Sequence, residues 1–108
     1  MKTILARIAP LCISATVLTF ESAAEERPRI AVLPAGSIVP DAEVDTDGII
    51  HVAYLNEADV FYVRSHDEGR TFSKPIRVNT EAGFASGGRF RGPDLAVGRD
   101  GRIHVIWY

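Results

Sequence analysis

The chain has 108 residues, a formal net charge of −2 and a hydrophobic content of 46%. This length allows one domain at most, and a charge so close to neutral lacks the basic face that nucleic-acid binding requires. The composition therefore predicts a single domain with no nucleic-acid partner.

The first 24 residues have the pattern of a secretory signal peptide. Lys2 and Arg7 make the start positive, residues 8–20 are apolar and uncharged, and residues 22–24 are small, as expected before a cleavage site. The apolar run is shorter than the roughly 20 residues that cross a bilayer. We therefore expect a secreted or periplasmic protein without stable membrane insertion. An uncleaved N-terminal anchor is the alternative.

The next segment, residues 25–39, contains an apolar stretch at 29–33 that is predicted as a lone strand. The one cysteine of the chain, Cys12, lies upstream in the signal segment. A chain cleaved after that segment would have no disulfide, so packing alone must stabilise it.

An internal repeat organises the remainder of the chain. Residues 40–54 align without gaps on residues 93–107, at an offset of 53 residues, and Pro, Asp, Val, Asp-Gly and Ile-His-Val recur in both copies. The offset is somewhat above the roughly 40–50 residues of the familiar blade-type repeats. Each copy predicts two strands joined at an Asp-Gly hairpin, whose residues can supply the positive φ angles of a type I′ turn.

Two more strands are predicted after the first copy. Residues 60–65 are rich in β-branched and aromatic residues, which favour strands. Residues 72–78 form a weaker strand that contains Pro75, and proline is confined to edge strands. Residues 40–79 therefore predict an antiparallel meander with its fourth strand at the edge.

The second repeat follows a Gly-rich linker. The linker spans residues 80–92, and residues 93–108 read as the start of a second, truncated unit. Four antiparallel strands per repeat describe a propeller blade. No helix is expected after the signal segment.

Residues 65–72 carry a specific motif of the form Ser-x-Asp-x-Gly-x-Thr-aromatic. Its defining positions are Ser65, Asp67, Gly69, Thr71 and Phe72. The motif resembles the Asp-box, or bacterial neuraminidase repeat, of sialidase-like β-propellers. The resemblance covers roughly residues 29–108. It implies an all-β fold: a partial β-propeller of about one and a half four-stranded antiparallel blades after the N-terminal signal segment.

The chemistry of the motif predicts a structural role. Asp67 can accept backbone N–H groups in an Asx-type turn, and Gly69 can adopt the left-handed conformation. Thr71 can bond back across the turn, and Phe72 can cover it from below. These residues are therefore predicted to lock a turn and to take no part in catalysis.

The resemblance also suggests where a ligand would bind. Sialidases use three arginines on the sugar carboxylate, and a guanidinium binds a carboxylate bidentately. Arg29 is the candidate for the first of these. Glu57, Arg89, Arg91 and Asp94 lie in or beside loops expected on the face opposite the Asp-box, so they are candidate contacts for a carbohydrate of the sialoside type. A solvated loop residue is the alternative for each.

Two further pairs recur with the repeat. Asp41 and Asp94 occupy equivalent positions near strand starts, which favours a structural role. His51 and His104 are also equivalent, which favours packing between repeats, and two isolated histidines are weak evidence for zinc. The sequence predicts neither a metal site nor a cofactor.

Three functions remain open from the sequence. In the first, the parent protein is a carbohydrate hydrolase. In the second, it is a non-catalytic propeller that binds glycan or protein at the cell surface. In the third, the chain is a truncated product without stable activity. Because repeat folds need about three units to bury their faces, this chain alone is predicted to be inactive and to self-associate through unpaired strand edges.

Overall fold

A computed structural model describes residues 27–108. The signal peptide predicted for residues 1–24 lies outside the described residues. Within the described part every regular element is a β-strand and no helix occurs, so the all-β prediction is confirmed. That part accordingly has no helix long and apolar enough to cross a membrane.

The strands form two antiparallel sheets. The first sheet contains β1 (Ile38–Val44), β2 (Ile50–Asn56), β3 (Asp59–Ser65) and β4 (Ile76–Arg77), and the second contains β5 (Asp94–Val97) and β6 (Ile103–Ile106). Strand order in the first sheet follows chain order. The predicted four-stranded meander is therefore confirmed, although its first strand begins at Ile38, two residues before the predicted start at residue 40.

The fourth strand lies at the sheet edge as predicted but is much shorter. Only Ile76 and Arg77 pair with β3 in a regular ladder, through Tyr62 and Phe61, while the N–H groups of Ser73 and Val78 add single bonds to β3 carbonyls at 2.8 Å each. Pro75 directly precedes Ile76 and has no N–H to donate. The proline therefore interrupts the regular pairing ahead of Ile76.

The two Asp-Gly hairpins are present, but their turns are not of type I′. Type I′ requires positive φ at both central positions, whereas only the glycines, Gly48 at 78° and Gly101 at 75°, have it. Each glycine closes a four-residue turn instead. Gly48 N–H donates to the Asp45 carbonyl at 3.1 Å, and Gly101 N–H donates to the Gly98 carbonyl at 2.9 Å.

The lone strand predicted at residues 29–33 is not formed. These residues pair with neither sheet. Ile30 and Val32 are exposed, while Leu33 packs against the first sheet. The segment therefore lies against the first sheet through the side chain of Leu33, and its backbone does not pair with a strand.

The central strand β2 is buried on both faces. Side chains alternate between the faces of a strand, and Val52 and Tyr54 lie on one of them, clustered with Val63. Leu33 and Phe72 cover this cluster. Burial of such side chains contributes roughly 1.5–3 kcal/mol each, so this face supplies much of the stability of the first sheet.

The opposite face of β2 joins the two repeats. Leu55 and Val60 are directly paired across β2 and β3 and cluster with Ala85 of the linker. Val105 of β6 packs against the same cluster. The second sheet therefore lies over the face of the first sheet that carries Leu55.

Side chains of β1 also bind the backbone of β5. Leu95 N–H donates to the Asp41 carboxylate at 2.7 Å, and Val97 N–H donates to the Glu43 carboxylate at 3.0 Å. The two acids are two residues apart, so they project from the same face of β1. These bonds confirm the structural role predicted for Asp41.

Candidate functional site

Residues 65–72, whose pattern resembles an Asp-box, form a closed hydrogen-bonded turn between β3 and β4. The Asp67 carboxylate accepts the Thr71 N–H at 2.8 Å, the Thr71 hydroxyl at 2.5 Å and the Ser65 hydroxyl at 2.7 Å. Gly69 has φ +82°, and its N–H donates to Ser65 Oγ at 2.9 Å. Phe72 packs beneath, against the cluster of Val52.

This geometry fixes the protonation state of Asp67. Its bonds with the side chain and backbone of Thr71 and with Ser65 lower the pKa of the carboxyl from 3.8 to about 2, because hydrogen bonds to the charged form favour that form. All its oxygens are engaged within the turn. The residue can therefore stabilise the turn but is poorly placed to transfer a proton to a ligand.

The structure places Arg29 at this end of the first sheet. Its guanidinium forms an ion pair with Glu68 at 2.5 Å, and the neighbouring Glu68 pKa is lowered, chiefly by that hydrogen bond. Both side chains are more than half exposed, and such pairs contribute little to stability. Because its partner Glu68 belongs to the turn of residues 65–72, Arg29 is not brought together with the other predicted ligand contacts, which lie at the opposite end.

The opposite end is built by the linker, which is anchored to the β2–β3 turn. Asn79 is buried at 4% exposure, and its side chain accepts the Val60 N–H at 2.9 Å and donates to Asp59 at 2.7 Å. Asp59 also accepts the Gly83 N–H at 2.7 Å. These bonds lower the Asp59 pKa, with the Asn79 bond as the largest cause.

A shallow groove of about 330 Å³ lies beyond this anchor, lined by residues 86–91 and Tyr108. Gly88 and Arg91 exchange backbone hydrogen bonds of 3.0 and 3.2 Å, which places Arg89 and Phe90 at an exposed tip. The Arg91 guanidinium lies over the Tyr108 ring, 5.5 Å from its centroid. The groove therefore presents the Arg91 guanidinium on the ring of Tyr108, and Arg89 and Phe90 line it as well.

Glu57 lies at the tip of the β2–β3 turn, at the same end of the sheet as the linker. Its backbone has φ +55°, and its side chain is exposed. The expected arrangement, in which the β2–β3 turn and the linker share the end opposite the Asp-box, is confirmed by the Ala85 N–H bond to the Ala58 carbonyl at 2.9 Å. The structure thus brings Glu57, Arg89 and Arg91 to one end of the molecule.

A partly buried hydrogen-bonded triad links Asp45, His51 and Tyr62. The His51 ring nitrogens lie 2.9 Å from the Asp45 carboxylate and 2.7 Å from the Tyr62 hydroxyl, and the His51 and Tyr62 rings stack. The His51 bond lowers the Asp45 pKa. Burial raises the Tyr62 pKa, which opposes a phenolate nucleophile. The three hydrogen-bonded side chains therefore stabilise the first sheet.

The structure does not show the packing between repeats that was predicted for the two histidines. His51 makes its contacts within its own sheet, and His104 is exposed. The repeat position of Asp45 is occupied by Gly98, so the second repeat lacks the carboxylate partner. Among residues 27–108, no group of three or more His, Cys, Asp or Glu side chains is arranged to hold a metal ion.

Sequence reasoning missed two residues that build the groove. Asn79 directly follows the predicted fourth strand of residues 72–78, and an Asn in such a place often bonds the nearby backbone, so its position was a usable signal. The sequence around Tyr108 contains no such signal, because the contact of Tyr108 with Arg91 depends on the fold of the linker. The Ser86 N–H bond to the Tyr108 carbonyl at 2.6 Å fixes that contact.

Searches against family models, curated proteins and solved structures return no significant match for this chain.

Proposed function

We propose that this chain forms repeats of an exported Asp-box β-propeller of the sialidase-like kind, and that these repeats recognise an anionic carbohydrate. The Asp-box is the first support. The turn of residues 65–72 makes the bonds that its residue types predict, with Asp67 bound to both Ser65 and Thr71. Such a turn is a structural lock, and its position leaves the other end of the sheet for ligand binding.

The arrangement of the sheets supports the propeller. A blade is a four-stranded antiparallel meander, and the first sheet has that order. The second sheet covers one face of the first through Val105. Consecutive repeats that stack in this way would bury one another's faces around a closed ring.

One observation above all carries the proposed ligand. The guanidinium of Arg91 lies over the ring of Tyr108 in an open groove at the end away from the Asp-box. A guanidinium offers a bidentate contact to a carboxylate, and an aromatic ring offers an apolar surface with a polar edge. Together with Arg89, this pair suits a sugar that carries a carboxylate, such as a sialoside.

Hydrolysis is not proposed for this chain alone. A sialidase-type site requires a tyrosine nucleophile, paired with a glutamate in the family that this chain resembles. Among the described residues, burial raises the pKa values of Tyr54 and Tyr62, and Tyr108 contacts Arg91. In a longer protein, hydrolysis would depend on residues from additional repeats, whereas a propeller without them would only bind glycan.

Binding of sialyllactose and of neutral lactose to the full chain tests the proposal, measured by calorimetry. We expect sialyllactose to bind more tightly, and Arg91→Ala to weaken that binding by about tenfold or more, because a charge-assisted bond contributes roughly 1.5–3 kcal/mol. Arg99→Ala is the matched control. It removes the same charge from an exposed residue of the β5–β6 turn.

Equal affinity for the two sugars, or an equal loss in the Arg99 variant, would contradict the proposed ligand. A fluorogenic sialoside provides the second measurement. Release of the fluorophore by the purified chain would contradict the assignment of binding without hydrolysis.

A further inference from the structure

The turn of residues 88–91, which carries two of the candidate ligand contacts, is bracketed by two glycines. Gly88 and Arg91 pair as an isolated antiparallel bridge, with Gly87 directly before the turn and Gly92 directly after it. Neither of the two bracketing glycines has a positive φ, so the left-handed conformation does not explain glycine at either position. Their packing provides the explanation.

Both bracketing glycines lie against the first sheet. A Cβ added to Gly92 would lie 2.5 Å from the Val39 carbonyl oxygen and 2.8 Å from the Val39 Cβ. A Cβ added to Gly87 would overlap the end of the Leu55 side chain and lie 3.0 Å from the Arg91 carbonyl oxygen. Val39 belongs to β1 and Leu55 to β2. The turn is therefore seated on two neighbouring strands, where a residue without a side chain allows the close approach of another backbone.

Val39 has an unusual backbone at this contact. Its φ of +48° lies in the left-handed region, which β-branched residues rarely adopt. The register of β1 with β2 shifts between Ile38 and Asp41, as at a β-bulge, which bends a strand and redirects its side chains. A strained residue persists where the surrounding structure holds it. The irregular part of β1 therefore lies where that strand meets Gly92.

We propose that Gly92 and Val39 are positioning residues of the carbohydrate groove. Their contact fixes the turn of residues 88–91 on the first sheet and thereby holds Arg91 in place before a ligand arrives. This inference rests on the proposed carbohydrate site, because it assigns the position of Arg91 a role in binding. A side chain that is already ordered loses less conformational freedom on association, so this preorganisation raises affinity.

Amide hydrogen exchange tests the position of the turn without any ligand. The Arg91 N–H donates to the Gly88 carbonyl at 3.2 Å. Gly92→Ala should force the turn away from Val39 and speed the exchange of this N–H by about tenfold or more. Gly88→Ala is the matched control within the same turn, because an added Cβ there meets nothing within 4 Å. The control should exchange like the unmodified chain.

Equal exchange rates in Gly92→Ala, Gly88→Ala and the unmodified chain would overturn the proposal. Circular dichroism of Gly92→Ala should keep the strand signal, because the turn lies outside both sheets. Loss of that signal would also overturn the proposal, since the contact would then serve the whole fold and not the turn.

A second-site variant tests the assignment of Val39 as the partner. Val39→Gly removes the Cβ that an alanine at position 92 would meet, and a glycine can turn its carbonyl away without a steric penalty. Val39→Gly combined with Gly92→Ala should therefore restore most of the slow exchange of the Arg91 N–H. Exchange as fast as in Gly92→Ala alone would remove Val39 from the proposal.

Calorimetry with sialyllactose tests whether the position of Arg91 matters for binding. Gly92→Ala should weaken binding by about two- to tenfold, the usual effect of ordering one long side chain on association. Combined with Arg91→Ala, it should weaken binding no further than Arg91→Ala alone, because the glycine acts only through the arginine. Additive losses would overturn the positioning role. If the unmodified chain binds no sialyllactose, the proposed function fails, and the exchange rates still decide whether Val39 holds the turn.

Discussion

Asp67 holds Thr71 by both of its carboxylate oxygens. One oxygen accepts the Thr71 N–H at 2.8 Å and the other accepts the Thr71 hydroxyl at 2.5 Å. A single side chain therefore fixes the backbone and the side chain of a residue four positions away. Because Ser65 adds a third bond at 2.7 Å, the turn between β3 and β4 is closed by one carboxylate.

Replacement of this carboxylate should destabilise the first sheet. Asp67→Ala removes all three acceptor bonds and leaves the partly buried donors of the turn without their partner. We expect a clearly lower urea midpoint than in Asp47→Ala, where the deleted carboxylate is exposed and makes no hydrogen bond within residues 27–108. Equal midpoints for the two variants, measured by circular dichroism, would show that the Asp-box turn does not stabilise the fold.

The same carboxylate predicts a loss of stability in acid. Its pKa is about 2 in the folded chain, compared with an ordinary value of 3.8, so the unfolded state binds a proton more readily. The contribution of Asp67 is therefore fully present above about pH 4 and is lost as the pH falls through 3.8 toward 2.

Urea unfolding of the native chain and of Asp67→Asn at a series of pH values measures this contribution. The asparagine cannot titrate, so the difference in unfolding free energy between the two proteins should shrink as the pH falls. A difference that stays constant down to pH 2 would argue against the lowered pKa of Asp67.

Gly69 should tolerate alanine poorly. Its φ of +82° disfavours any L side chain, which costs about 1–2 kcal/mol, and an added Cβ would lie 3.2 Å from the Ala31 Cβ. Gly48→Ala is the matched control, because Gly48 has φ +78° and open space around an added Cβ. We expect both variants to lose stability in urea melts, Gly69→Ala more. An equal loss would mean that the Ala31 contact adds no cost.

Leu55 should be a strong determinant of stability, because it joins the two repeats. It is 2% exposed and clusters with Val60 and Ala85. Leu55→Ala should cost about 2–5 kcal/mol, as is usual for a buried leucine. The exposed Ile76 provides the comparison, and Ile76→Ala should change the unfolding free energy by less than about 1 kcal/mol. A cost for Leu55→Ala as small as that would indicate that the second repeat does not pack on the first.

Local sequence signals predicted the first sheet well. The Asp-Gly pairs marked both hairpins, and Pro75 placed the fourth strand at the edge, because these residues act through their own backbone. The type I′ turn was predicted wrongly. Its competitor, a turn over residues 45–48, is stabilised by the Asp45 carboxylate, which accepts the N–H groups of Asp47 and Ile49 at 2.9 Å each.

The positions of the candidate ligand contacts were predicted less completely than the fold. The alternation of strand direction correctly brought Glu57, Arg89 and Arg91 to one end of the sheet. Arg29 precedes the first strand, so no strand register fixed its position. Its ion pair with Glu68 places it at the Asp-box end.

The amino-acid sequence by itself determined the strand order, the repeat and the Asp-box turn, because hydrogen bonds and backbone preferences within a few residues decide each of them. Only the tertiary structure decided which face of β2 the second repeat covers, that Arg91 meets Tyr108, and that Asp41 binds Leu95. These contacts join residues far apart in the chain. They depend on the path of the linker between β4 and β5, which Asn79 holds against the β2–β3 turn.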